Sequence, residues 1–398
     1  MLISENKYVF EKFMKTTVLN LFFFFATYAY LFLLSPYLDT LGWSEWLKGM
    51  FFALFALVGI LLAPIIGSLS DSIGRFKVLL AGICLEIFAL IGYLSFQSPG
   101  AIIIIRIISA IAFNAVTISA LSRINDLSET KIRGRNNGLF QSITALAVII
   151  SPYIGGVIAD AYNYQAVFLF SLIIMISSMI SLLIYDMLFF KYNKHRREHR
   201  ILRKKDMNPL LQVKKLIVNK ELRPCVYIEG LIGFTIPFFV SVLPLIVLQE
   251  MGLSNSYLGL FILIKGIFFL LRYQMGYLLD RYGEKKTLFL GVSLLFISFL
   301  GFSFLTVSVY MVSFLIALNA TGISFIILAL LSIISEIGKK HNIEGRLVGA
   351  FSSVNRITST IGFLLTGAAL QAGFNVPLLY SIILLPAVFL SLKIIKGN

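Results

Sequence analysis

The sequence predicts an all-α membrane protein with twelve transmembrane helices in two pseudo-symmetric six-helix bundles. Three observations carry that reading. Of the 398 residues, 58% are apolar and only 13% charged, against about 45–50% and about 25% in soluble domains. The apolar residues gather into runs of the length a bilayer demands, roughly 20 residues per helix. The chain also repeats itself at an offset of about 210 residues, as duplicated bundles do. Such a composition excludes an ordinary cytosolic enzyme, and 36 Phe with 17 Tyr exclude a disordered chain.

In chain order, spans 1 to 6 are expected over residues 16–38, 46–69, 76–97, 100–123, 137–159 and 164–190. Spans 7 to 12 follow over 224–248, 256–279, 287–306, 309–335, 347–371 and 376–392. The joints carry helix breakers, as in Ser98-Pro99-Gly100, Tyr162-Asn163-Tyr164 and Gly373-Phe374-Asn375. Loops this short force neighbouring helices antiparallel. Between the halves runs a basic connector opening Lys191-Tyr192-Asn193-Lys194-His195-Arg196-Arg197. Within it, Asn208-Pro209 can cap an amphipathic helix through Ile217 that lies on the membrane surface. The expected organisation is therefore a first bundle over 1–190, a connector over 191–223 and a second bundle over 224–398.

The net charge of +15 has a location. Most of the 34 lysines and arginines fall in the tails, the connector and the 2–3, 4–5, 8–9 and 10–11 loops. The opposite loops hold Lys48 beside Asp39, Glu45, Asp160 and Glu250. Positive loops stay in the cytoplasm, which puts both termini there and the protein in the cell membrane. The charge is thus a topology signal with some attraction for anionic lipid, and not a nucleic-acid footprint. Cys84 and Cys225 lie in or beside apolar runs and imply no disulfide framework. No short apolar run near Met1 ends at a small-residue cleavage site, so span 1 is expected to be retained.

The repeat is legible in three places. Leu38-Asp39-Thr40-Leu41-Gly42-Trp43-Ser44 returns as Leu248-Gln249-Glu250-Met251-Gly252-Leu253-Ser254. Gly67-x-Leu69-x-Asp71-x-x-Gly74 returns as Gly276-x-Leu278-x-Asp280-x-x-Gly283. Gly134-Arg135-x-x-Gly138-x-Phe140-x-Ser142 returns as Gly345-Arg346-x-x-Gly349-x-Phe351-x-Ser353. Physically, Gly67 would allow two helices to approach, Gly74 would permit a positive φ in a tight turn, and Asp71 could accept from a neighbouring helix start. In span 5, Pro152 within Ala147-x-x-x-Ser151-Pro152-Tyr153-Ile154-Gly155-Gly156 would bend the helix, and the small residues would let a partner pack across the bend. Its copy in span 11, around Gly362 and Gly367, keeps Gly but lacks the Pro.

The 2–3 loop, Gly67-Ser68-Leu69-Ser70-Asp71-Ser72-Ile73-Gly74-Arg75-Phe76-Lys77, resembles the signature loop of the major facilitator superfamily. Its copy in the 8–9 loop is where that family carries one, and the resemblance covers essentially the whole chain. It implies the major facilitator fold and a secondary transporter. It also implies a gating latch of Gly67, Asp71, Gly74, Arg75 and Asp126, in which Asp71 engages the start of span 11 and Arg75 pairs with Asp126. The second copy, Gly276, Asp280 and Gly283, departs by placing Glu284 where the first has Arg75, so a mirrored latch with Glu336 would require Lys285. Ser151, Pro152, Gly155 and Gly156 look like the family's antiporter motif. Arg106-x-x-Ser109-Ala110-x-Ala112 is similar to a motif whose Arg is linked to proton movement.

Ionisable groups inside the bilayer complete the expectations, because each costs about 2.5–3.5 kcal/mol or more without a partner or cavity. Glu86, Arg106 and Glu229 are the candidates for proton coupling, with a structural Glu86–Arg106 ion pair as the competing role. Lys265 and Arg272, about 10 Å apart on one face of span 8, could share a water-filled cavity with Arg356 or pair separately. Together with Tyr28, Asn114 and Asn319, these three cations are the expected lining of a substrate cavity. Helix 1 has no carboxylate between Thr16 and Leu38, so the cations favour an anionic or polar solute while the span 5 motif favours export of drug-like compounds. His195-Arg196-Arg197-Glu198-His199 fits a zinc-peptidase string but sits among arginines that oppose a dication, and no metal site is expected. A membrane-embedded enzyme is the remote alternative. No nucleotide-binding loop is present in the sequence. No cofactor is expected beyond an ion gradient, taken as protons. The expected function is proton-coupled efflux antiport of a small molecule by a monomer in the lipid bilayer, with uptake or exchange of an anionic metabolite as the alternative.

Overall fold

The computed structural model describes residues 2–128, 133–189, 222–304, 308–341 and 344–396. Of the connector expected over 191–223, residues 191–221, with its amphipathic segment and its histidines, lie outside the described residues. Among the described residues, all regular structure is helical. In order come α1 (Leu2–Leu31), α2 (Leu34–Thr40), α3 (Glu45–Ile73), α4 (Arg75–Ser95), α5 (Pro99–Leu127), α6 (Arg133–Ala161) and α7 (Tyr164–Phe189). After the connector follow α8 (Arg223–Thr235), α9 (Asn255–Leu270), α10 (Arg272–Tyr282), α11 (Glu284–Phe304), α12 (Val309–His341), α13 (Glu344–Gln371) and α14 (Val376–Lys396). Among the described residues, eight helices are long and apolar enough to cross a membrane, or nine if the bent pair α9–α10 counts as one span. Tyr164–Ile180 and Val376–Leu392 are shorter apolar helices.

The chain divides into two compact units, one of residues 1–34 and 61–207 and the other of residues 35–60 and 208–398. In the first, α4 packs on α5 and α7, and α1 on α6 and α7. In the second, α11 packs on α12 and α14, and α8 on α13 and α14. These are the same pairings displaced by one repeat. Residues 35–60 belong with the second unit because the first half of α3 lies against α13. A Cβ on Gly49 would come within 3.0 Å of the Gly367 Cα, and Phe52 stacks on Phe363 with ring centroids 5.6 Å apart.

Local chemistry explains where the helices end. Gly42 (φ 73°), after α2, and Gly252 (φ 63°), after the helical stretch that ends at Glu250, take the left-handed region. The Trp43 N–H then reaches back to the Leu38 carbonyl at 3.1 Å, and that of Leu253 to Val247 at 3.0 Å. Span 7 departs from the single straight run its apolar content predicts. Pro237 and Pro244 lack the N–H a regular ladder needs, and two π-helical stretches follow them, Phe238–Val242 and Leu245–Glu250. Span 8 departs too, breaking at Leu271 with a bend of 51°.

Candidate functional site

The latch residues of the first copy meet at the junction of α3, α4 and α5. Gly74 caps α4 with φ 107°, a conformation open to glycine and strained for other residues, and so turns the chain straight from α3 into α4. That turn leaves Arg75 between two carboxylates. Its guanidinium pairs with Asp71, one helical turn earlier, and its Nε donates to the Asp126 Oδ2 at 3.2 Å. Arg123 over the Phe76 ring, 4.7 Å from its centroid, joins α5 to α4 at the same level. All three latch side chains keep 24–36% exposure, so each ionic contact alone contributes little to stability. The close helix approach expected at Gly67 is not seen among the described residues, where a Cβ on Gly67, or on its copy Gly276, meets no atom within 4 Å. Close approaches fall elsewhere: Gly82 against Ala112 and Ala115, and its repeat Gly291 against Gly322.

In the second copy, Gly283 repeats the positive φ at 81°. Glu284, at the position of Arg75, accepts from the Ser332 hydroxyl at 2.5 Å and so also ties a helix start (α11) to the end of its neighbour (α12). Asp280 is exposed and, among the described residues, makes no ion pair. The Glu336 side chain lies outside the described residues.

The span 5 motif acts through contact. Gly155 of α6 sits against the Ala29 backbone of α1, so closely that any Cβ would overlap the Ala29 carbonyl. Pro152 lies within α6, with Ser151 and Gly156 buried beside it. The second unit does the same with different residues, Gly362 of α13 against the Phe234 backbone and Gly233 of α8 against Asn355 and Thr358.

Glu86 of α4 is 0% exposed. The Tyr30 hydroxyl of α1 donates a short hydrogen bond to its Oε1, and the Ser109 hydroxyl of α5 donates to the same oxygen at 3.3 Å. Three helices thus converge on one buried carboxylate, and Tyr30 is itself walled in by Tyr93 and Phe168. Arg106 is buried one turn before Ser109 on the same helix. Sequence reasoning missed Tyr30 as a partner. The available signal was depth, since an intramembrane carboxylate needs a donor at its own level.

In the second unit, Glu229 of α8 accepts from Asn355 of α13 at 3.0 Å, beside the half-buried Arg356. Lys265 of α9 lies over the Phe239 ring, 3.0 Å from its centroid, and 5.7 Å from that of Phe269. Arg272 of α10 lies over the same Phe269 ring at 4.5 Å, and its Nε donates to the Ser324 hydroxyl of α12 at 3.3 Å. Of the remaining cavity candidates, Tyr28 stacks on Phe24 and Asn114 donates to the Ala110 carbonyl at 2.8 Å. Asn319 is fully buried with neither amide atom hydrogen-bonded among the described residues.

Lys48 of α3 is the charged residue for which no role was read in the sequence. It is 1% exposed and pairs with Asp39 and Glu45, each at 2.5 Å. The triad ties the last turn of α2 to the first turn of α3, next to the Gly49–Gly367 approach. Among the described residues, no three of His, Cys, Asp and Glu gather as metal ligands.

The family described as Major Facilitator Superfamily matches residues 16–363 and again 267–395. The chain is 28% identical over 327 residues to the class H tetracycline resistance protein of Pasteurella multocida, covering 80% of this chain and 78% of that one. It is 26% identical over 333 residues to the class C tetracycline resistance protein of Escherichia coli, covering 81% and 80%. Among solved structures, a point mutant of the nucleoside transporter NupG superposes with a TM-score of 0.80 at 12% identity, covering 97% of this chain and 99% of that one.

Proposed function

We propose that this chain, which belongs to the major facilitator superfamily, exports a small molecule in exchange for protons by alternating access. Membership and fold make it a multi-pass membrane protein and a secondary transporter. The exchange with protons rests on one observation above the others, the Glu86 carboxylate shut away from water at the convergence of α1, α4 and α5. Ionised, it accepts from both the Tyr30 and Ser109 hydroxyls; neutral, its own proton needs an acceptor and reverses one of these bonds, so a proton gained or lost there changes how three helices are tied together. The likeness to tetracycline resistance proteins supports the outward direction.

The twelve apolar runs are taken as twelve crossings, divided into bundles over 1–190 and 224–398. The basic loops and both termini lie in the cytoplasm of a cell-membrane protein that works as a monomer. Arg75, Asp71 and Asp126 form the cytoplasmic latch, and Ser151, Pro152, Gly155 and Gly156 the pivot between α6 and α1. A second reading, exchange or uptake of a polar metabolite, draws on the cations around Phe269.

The test uses purified protein in liposomes with an imposed pH gradient and an internal pH dye. Addition of substrate candidates, tetracycline first, is expected to collapse the gradient. Asp71→Asn, which unties Arg75 from α3, should lower turnover about tenfold or more with little change in apparent affinity. Turnover equal to wild type in that variant contradicts the latch, and a gradient indifferent to every solute contradicts the coupling.

A further inference from the structure

We propose that Lys265 and Arg272 form an anion-binding subsite, and that the transported molecule carries an acidic group (carboxylate, sulfonate or phosphate) which this pair holds. This rests on the reading of the chain as a small-molecule transporter and names the chemistry of its substrate. Lys265 falls on the protein-facing stripe of α9, in register with buried Leu258, Phe261 and Ile262, while Ile267 and Leu270 are exposed on the other side. It stands about 15 Å along the helix from Asn255, half of a hydrocarbon core roughly 30 Å thick. An ammonium at that depth needs a partner or a polar cavity.

Among the described residues its neighbours are rings. Phe239 and Phe269 offer their negative faces, and Arg272 shares the Phe269 ring from the next helical segment. Among the described residues neither cation pairs with a carboxylate. Among the described acids of this unit, Asp39 and Glu45 hold Lys48, Glu229 accepts from Asn355, Glu284 accepts from Ser332, and Glu250 and Asp280 are exposed. A ring face can satisfy one direction of an ammonium with three protons, and Arg272 commits its Nε to Ser324, which leaves the fork of its terminal nitrogens. Both side chains are half-buried.

Two like charges about one ring repel, and an anion lying between them relieves both. The backbone is built to this end. The break at Leu271 takes Arg272 off the axis of α9, so the cations flank Phe269 instead of stacking along one cylinder. The π-helical stretch after Pro237 presents Phe239 beneath Lys265, and such stretches recur at functional sites. Lipophilic cations, by contrast, would meet the same positive field at this depth.

The experiment measures binding of two xanthene dyes of opposite charge, fluorescein and rhodamine 123, by fluorescence anisotropy. It uses the full-length protein in nanodiscs at one pH with no gradient. Fluorescein should bind wild type, and Lys265→Gln and Arg272→Gln should each weaken it at least about tenfold. Lys265→Arg and Arg272→Lys should restore most of the affinity, which a merely misfolded variant would not permit. No fluorescein binding by wild type, equal affinity in the Gln variants, or a wild-type preference for rhodamine 123 overturns the proposal. Because no proton gradient is present, the result is independent of coupling. A protein that binds fluorescein through this pair yet moves no protons refutes antiport alone, and one that exchanges protons for solute without using the pair refutes the subsite alone.

Discussion

Glu86 and Lys48 show two fates of a buried charge. Glu86 is held by hydroxyls, whose hydrogen bonds serve a carboxylate or a carboxylic acid, so the site accommodates a change of protonation without losing its partners. Glu86→Gln should therefore preserve the fold while abolishing coupling. Accumulation driven by a pH gradient is expected to fall at least about tenfold, whereas exchange of labelled for unlabelled substrate without a gradient persists. Gradient-driven accumulation at the wild-type rate would remove Glu86 from the mechanism. Lys48 is instead clamped between two carboxylates, a neutralising arrangement with no hydroxyl alternative. Removing one member of a fully buried pair costs about 3–5 kcal/mol. Asp39 and Glu45 keep 29% and 20% exposure, which reduces the expected cost of Lys48→Met to about 1–2 kcal/mol. Thermal unfolding in detergent should register this as a lower midpoint, partly recovered when Asp39→Asn is added.

At the scale of elements, glycine placement decides which helices can touch. Gly155 has no room for a side chain against Ala29, so Gly155→Val should cost about 1–3 kcal/mol or more and separate α6 from α1. Gly138, on the same helix with open space around it, is the control, and Gly138→Ala should leave the unfolding midpoint within the scatter of wild type. Gly74 has room but not freedom, because its φ of 107° strains any other residue. Gly74→Ala is expected to cost about 1–3 kcal/mol. Equal midpoints for the 74 and 138 variants would remove the turn argument. The positive φ at Gly74 and Gly283 was legible in the sequence, since a Gly between two apolar runs with no other breaker has one use there. Which glycines meet a neighbouring helix was not, because glycine spacing alone does not say which face of a helix finds a neighbour. The π-helical stretches escaped for a related reason. Pro237 and Pro244 announce a disturbed ladder, but whether it kinks, frays or widens depends on packing partners that no periodicity encodes.

At the scale of the whole molecule, the duplication was the most informative feature of the sequence. It requires two units with the same internal pairings, and α4 on α5 and α7 is matched by α11 on α12 and α14. Equivalent positions also make equivalent contacts, as Gly82 and Gly291 do. Convergence across helices was less legible. The Arg75–Asp126 contact followed from a resemblance, while Tyr30 to Glu86 and Lys265 to Phe239 join residues far apart in the chain through azimuth and depth. The central claim concerns the sign of coupling between solute and protons. Liposomes containing the protein and an internal pH dye, with equal pH on both sides, are given a sudden inward gradient of a solute that collapses an imposed pH gradient. Antiport predicts that the interior becomes alkaline as solute enters and protons leave, whichever way the protein is inserted. An interior that turns acid, or solute entry with no change in pH, would contradict it.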